Sequence, residues 1–299
     1  MKLEYDKYQT LFKSEDFRKI GDIKNRKCRF CDKDYLSTTF DNESHIIPRA
    51  LGSNALIGYN ECDACNDKYN KQIDTDFIQF LTFERALNLN TDNKKVKYKL
   101  AGHESYIKKC ENTTITYAAF GENETIKAHE DIKYPGILFV SIRLLPVNLL
   151  NVCRAMARMS IFCLKDDDLK KNLYLYDIME KRVKLPIKIY FNYFTFAINF
   201  KSAIHIITKI NNEKKNETVI HFYYGKIMLT LPLDITNFNF NESLPALTLE
   251  EREIVPKMPS FKPIIIDVLK DEKENNLVIT IPRKIQSVKR NIPIADIEL

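Results

Sequence analysis

Three pieces of one stretch decide the fold: Cys28-Arg29-Phe30-Cys31, Glu43-Ser44-His45-Ile46-Ile47-Pro48-Arg49 and Asn60-Glu61-Cys62-Asp63-Ala64-Cys65-Asn66. Two C-x2-C knuckles with thirty residues between them can bring four thiolates onto one tetrahedral zinc, because the turn inside each knuckle aims both sulfurs at one point. Such a zinc is structural, since four sulfurs leave no open position for water. A redox reading of Cys62 and Cys65 is the weaker one: a matching pair lies upstream, and no thioredoxin-like strand precedes them. Between the knuckles one histidine sits in a strand predicted over 40–47, which Pro48 ends because proline has no N–H for the ladder. The second knuckle opens a helix predicted over about 63–87, where Tyr69, Ile73, Phe77, Phe80, Leu81 and Leu87 recur near helical spacing. A zinc clamping the base of the hairpin and helix leaves His45, Asn60 and Asn66 on the inner face.

The ordered set C-x2-C, S-H-I-I-P-R-A-L-G and N-E-C-D-A-C-N, followed by I-D, resembles the HNH endonucleases, which use a ββα-metal finger. Within that family it is similar to the bacterial forms in which Asn replaces the last His. The resemblance spans residues 24 to about 90. It implies that His45 is the general base, that Asn60 orients it, and that Asn66, on the helix, is a ligand of a catalytic divalent ion, Mg2+ or Mn2+. It also implies DNA as the substrate, with defence against phage or other foreign DNA as the biological setting. Two positions depart from the family pattern. Many members carry Asp or Glu as a metal ligand directly before the His, where this chain has Ser44. Glu43 is no simple substitute, because adjacent strand residues face opposite sides. Asn60 lies one residue before the second knuckle, closer than in the better-known members.

Phosphodiester hydrolysis needs an activated water, a stabiliser for the added negative charge and help for the departing oxygen. A neutral histidine suits the first task, and one Mg2+ bridging phosphate and leaving oxygen suits the other two. Arg49, next to Pro48, is placed to hold a phosphate oxygen. Asn66 falls in the first helical turn, where the dipole repels a cation, so carboxylates or phosphates must offset it. Asp74 lies on the same helix face about 12 Å along the axis; it is read as a surface carboxylate rather than a second ligand, with support of the metal or of a neighbouring basic residue as the alternative. Two other functions fit the same residues: a catalytically silent zinc-finger module that binds nucleic acid, and an RNA-directed nuclease.

The chain of 299 residues is 44% hydrophobic and 29% charged, an ordinary globular balance with room for one or two domains. The seven glycines, with neither G-x-x-x-x-G-K nor G-x-G-x-x-G, argue against a nucleotide-driven enzyme. The charged start Met1-Lys2-Leu3-Glu4-Tyr5-Asp6 lacks an apolar signal core and no apolar run suffices for a membrane span, so a cytoplasmic protein without a membrane partner is expected. Cys110, Cys153 and Cys163 then read as reduced thiols. The net charge of +6 does not sit on the nuclease-like part: residues 1–95 hold sixteen Lys and Arg against sixteen Asp and Glu. DNA binding there requires a local patch, such as Lys24, Arg26, Lys27 and Arg29.

The expected architecture is α+β: a zinc-stabilised ββα-metal nuclease domain over 1–92, with a lead-in over 1–23 packed on the finger, and a larger α+β domain over 93–299 that senses another protein or a ligand. The polar break Asn88-Leu89-Asn90-Thr91-Asp92 marks the boundary. Helices are predicted from Pro146 to about Leu164 and from Asp167 to about Lys181, the second capped by Asp166 or Asp167. Strands are predicted near 96–100, 114–117, 137–140, 187–200, 203–210, 217–224 and 226–231, with 264–269 and 277–281 as one further pair and a basic tail after them. The aromatic residues between Tyr190 and Tyr224 read as core rather than as a stacking platform for bases. His103, His129, His205 and His221 lack the surroundings of His45 and read as structural or surface residues.

Overall fold

The computed structural model describes residues 8–14, 18–52, 56–87, 96–100, 103–109, 115–118, 126–130, 137–183, 187–194, 200–209, 217–233, 263–268 and 278–284. The polar break over 88–95, Cys110, the 236–262 segment and the tail beyond 284 lie outside them.

The amino-terminal strands are short: β1 (Tyr8–Lys13), β2 (Lys19–Ile20), β3 (Ser44–His45) and β4 (Ile57–Gly58). β3 pairs antiparallel with β4, setting Ser44 opposite Gly58 and His45 opposite Ile57, and β2 runs parallel to β4. The strand expected over 40–47 is only two residues long, because the backbone before it is claimed otherwise. The Asp63 carboxylate accepts from the N–H groups of Asp41 and Asn42 at 3.0 and 2.9 Å, bending the chain around the helix start. The helix expected over 63–87 forms as α1 (Asp63–Tyr69), a π-helical turn (Asn70–Asp74), α2 (Thr75–Phe80) and α3 (Thr82–Leu87).

Beyond it come β5 (Val96–Leu100), β6 (His103–Lys109), β7 (Ile115–Ala118), β8 (Ile126–Glu130) and β9 (Ile137–Arg143), followed by α4 (Leu149–Cys163), α5 (Asp166–Lys171) and α6 (Tyr174–Met179). The α4 N-cap is Asn148, whose side chain accepts from the Asn151 N–H at 3.0 Å. The single helix predicted over 167–181 is split. Asn172 turns its amide back onto the Asp168 carbonyl at 2.8 Å, the local competition that disfavours Asn inside helices. Neither Asp166 nor Asp167 caps α5; Lys165 holds that position with no side-chain bond.

The remaining strands are β10 (Lys188–Tyr193), β11 (Phe200–Lys209), β12 (Thr218–Gly225), β13 (Ile227–Leu233), β14 (Ile264–Asp267) and β15 (Val278–Lys284). Six strands form the large antiparallel sheet in the order β1-β11-β12-β13-β10-β14. Its tight β12–β13 turn uses Gly225 at φ +58°, a region where a side chain is strained. Two expectations change here. The lead-in is extended and divides: β1 is the edge strand of the large sheet, paired with β11, and only β2 joins the finger, beside β4. The two last strands do not pair with each other either, since β14 adds to β10 and β15 to β9.

One buried cluster runs from the knuckles through α4 into the large sheet, taking in Cys28, Cys62, Phe77, Met156, Phe162, Phe222 and Ile266. Ring contacts carry it: Phe30 meets Tyr69 and Phe162 edge-on at 5.1 and 5.3 Å, and Phe77 meets Phe222 at 4.9 Å. Phe191, Tyr193, Phe222, Tyr223 and Tyr224 are buried, as the core reading expects. Gly58 is required where β4 touches α4, because a Cβ there would stand 2.5 Å from a Phe162 ring carbon.

Candidate functional site

The knuckles form as the spacing predicts. Around Cys28 the turn closes through Cys28 N–H to Lys33 O and Asp32 N–H to Cys28 O, with Asp32 at φ +61°. The Arg29 N–H bonds the Asn60 carbonyl at 2.9 Å, tying one knuckle to the other. The sulfurs of Cys28, Cys31, Cys62 and Cys65 lie within 4.8 Å of one another, with Cys31 to Cys62 at 3.6 Å. A tetrahedral zinc with bonds of about 2.3 Å needs sulfurs about 3.8 Å apart, so the four residues fit that ion. The Cys28 thiol is pulled down to about 4, first by its hydrogen bond with Cys65 and then, against its burial, by the N–H groups of Cys62, Phe30 and Cys31. That same sulfur–sulfur bond pushes Cys65 up. One thiolate held by the protons of its neighbours is what crowded thiols do without a cation; a divalent metal lets all four ionise.

His45 is delivered by β3 with its imidazole half-buried and its Nδ1 buried without a hydrogen-bond partner. Burial, and then the positive charge of Arg49, hold its pKa below the ordinary histidine value, while Glu43 pulls the other way. Arg49 opens a short 3-10 turn (Arg49–Leu51), is exposed, and has no ion-pair partner among the described residues. Asn60 is spent elsewhere: its Oδ1 accepts from the Asp22 N–H and its Nδ2 donates to the Lys27 carbonyl, both at 3.2 Å. It ties the loop ahead of the first knuckle and makes no bond to His45.

Ser44, on the opposite face of β3, is 1% exposed and donates its hydroxyl to the Glu61 carboxylate. Glu61 in turn receives two bonds from Arg158 of α4, Nε to Oε1 at 3.0 Å and Nη2 to Oε2 at 2.6 Å. The same guanidinium reaches Asn66 Oδ1 at 3.1 Å, both oxygens of Asp74 at 3.1 Å and Asn70 Oδ1 at 3.4 Å, and lies over the Tyr69 ring at 5.7 Å. Asn66, Asn70 and Asp74 sit one turn apart on one helix face, and the π-helical turn between α1 and α2 carries the last two. Asp74 is therefore no surface carboxylate: it is buried and neutralised by an arginine from a distant helix. Burial pushes both carboxyls above their ordinary range while Arg158 pulls them back, and these partners keep Arg158 protonated.

This arrangement bears on the catalytic divalent ion. The Asn66 amide oxygen already takes bonds from Arg158 and from Asn70 Nδ2, the latter at 3.0 Å, and Glu61 and Asp74 are paired with the guanidinium. Among the described residues only the four cysteines form a grouping of three or more acidic, His or Cys ligands. The donors at Asn66, as folded, do not fit a second ion.

The basic patch is also partly committed. Arg29 donates to the carbonyls of Ile161 and Leu164 at the end of α4, both at 2.6 Å, and pairs with Asp166 at 2.7 Å. Lys27 pairs with Asp32 at 2.7 Å. Lys24 and Arg26 line a shallow cleft with Tyr35 and Asp41. Arg29 and Arg158 thus interlock, one reaching from the finger into α4 and one from α4 into the finger. Glu61 and Arg158 were missed from sequence, although arginines at 154 and 158 in the otherwise uncharged run of 149–163 are a signal, because a charge one turn from another on a buried face needs a partner. His205 and His221 are buried in the large sheet, the latter bonded to Thr230 at 2.8 Å.

No described helix is long and apolar enough to cross a membrane. No curated protein and no solved structure matches the chain. The family model described as HNH endonuclease matches residues 28–82, from the first knuckle to the start of α3. That amino-terminal segment, with its four-cysteine cluster, is similar to the HNH endonucleases, and the match covers under a fifth of the chain.

Proposed function

We propose that the chain is an endonuclease that hydrolyses DNA phosphodiester bonds, with His45 as the general base. The observation that carries this reading is the state of His45 within the matched segment: a half-exposed imidazole whose pKa burial and Arg49 hold low, and which is therefore neutral and able to take a proton from water near neutral pH. Arg49, exposed beside it, holds the phosphate and offsets the charge that builds on it. Asn60 keeps the loop before the first knuckle tied through Asp22 and Lys27. Mg2+ or Mn2+ is the ion that the resemblance implies; no step is assigned to it, because the Asn66 oxygen is already engaged.

Supercoiled plasmid, linear duplex and RNA of matched length, incubated with the zinc-loaded chain with and without Mg2+ or Mn2+, test the proposal. DNA nicking by the wild type that His45→Ala abolishes is the expected result. Cleavage of RNA alone reassigns the substrate. One observation favours a second reading, a module that binds nucleic acid without cutting it: the side chain expected to hold the ion is occupied by Arg158. Retained DNA binding with no cleavage under any ion selects that reading.

A further inference from the structure

The position between Ser44 and Asn66 is filled from within. All the guanidinium nitrogens of Arg158 face oxygen atoms of Glu61, Asn66, Asn70 and Asp74, and Ser44 reaches the same group through Glu61. An all-oxygen shell around a buried positive charge is what a hard cation takes. Here the charge arrives on a side chain that is 1% exposed.

We infer that Arg158 is the resident cation of this site: its guanidinium stands where the family resemblance puts a divalent ion, so the folded chain takes no ion there beyond the metal of its four cysteines. The inference rests on the proposed site for the positions of Ser44 and Asn66, and not on cleavage itself. Glu61 supplies, through Ser44, the carboxylate missing before His45. Withdrawal of Arg158 is opposed on two sides. α4 is buried along nearly its whole length and Arg29 grips its last carbonyls, and departure of the guanidinium leaves two carboxylates buried without a partner. A divalent ion added beside the guanidinium meets a like charge in a medium of low dielectric. Sealed from solvent, Arg158 touches no phosphate, so the charge work on substrate falls to Arg49.

Mn2+ titration of the zinc-loaded, full-length protein, followed by the loss of free-ion paramagnetic resonance and by thermal melting, tests the inference. Thiolates prefer zinc to Mn2+, so the cysteine cluster does not report. Wild type is expected to bind no Mn2+ at millimolar ion and to melt unchanged. Arg158→Ala, with the carboxylates freed, is expected to bind a single equivalent and to melt higher with Mn2+ than without, and adding Glu61→Gln is expected to abolish both effects. Arg158→Lys, which keeps the charge, behaves as wild type. A stoichiometric Mn2+ on the wild type that Asn66→Ala removes overturns the inference, and so does a folded Arg158→Ala that binds none. If Arg158→Ala does not fold, the wild-type titration decides alone. Absence of DNA cleavage leaves this result untouched and counts only against the nuclease reading.

Discussion

Replacing Arg158 with Met keeps most of the side-chain volume and removes the charge. Glu61 is 2% and Asp74 8% exposed, so neither carboxylate gains water when its partner is lost. Breaking a buried pair from one side costs about 3–5 kcal/mol, a large share of a typical stability of about 5–15 kcal/mol. At about 2–4 °C per kcal/mol, the expected fall in Tm is about 6–20 °C. The pH dependence has a defined sign. Without the guanidinium, burial acts unopposed on Glu61 and Asp74, whose pKa values it already pushes up. Raised folded values mean that the folded chain keeps protons the unfolded chain releases. Stability of the variant is therefore greatest below the unfolded carboxylate pKa of about 4 and is lost as the pH rises through the folded values. Melting followed by circular dichroism at about pH 5 and about pH 8 reads the effect, and the deficit against wild type widens at the higher pH. Adding Glu61→Gln and Asp74→Asn flattens that slope. A Tm loss under about 2 °C, or a deficit that narrows as the pH rises, would refute the argument.

Three further outcomes are expected. Because His45 is held below the ordinary histidine pKa by burial and Arg49, DNA cleavage stays on its plateau as the pH falls through the usual histidine range; Arg49→Gln moves the acid limb to higher pH, and an unmoved limb removes Arg49 from the site. Cys28→Ser loses the cluster's metal by elemental analysis and unfolds the finger, since a structural metal supplies folding energy outright; full metal content with unchanged melting shows that the ligand set is wrong. Gly58→Ala drives a Cβ to 2.5 Å from Phe162 and is expected to cost about 1–3 kcal/mol, read as a shift in the denaturant midpoint and accompanied by slower cleavage, because β4 carries the strand that holds His45.

The four-cysteine cluster was legible in the sequence because its information is local: two C-x2-C turns make their own geometry, and the four sulfurs converge as the spacing requires. The helix after the second knuckle, the α4 stripe and most strands were legible for the same reason, periodicity being a property of neighbouring residues. His45 on a strand and Asn66 in the first turn of a helix also follow from local pattern. What the linear chain does not carry is pairing between distant parts. Nothing near Tyr8–Lys13 says that it borders β11, and nothing near the last two strands says that they separate onto different sheets. The largest change of meaning came from Arg158. A buried charge must be neutralised, but the partner it chooses depends on which surfaces the core brings together. Packing α4 against the π-helical turn set that guanidinium among Glu61, Asn66 and Asp74, and so turned an expected ion ligand and an expected surface carboxylate into partners of one arginine.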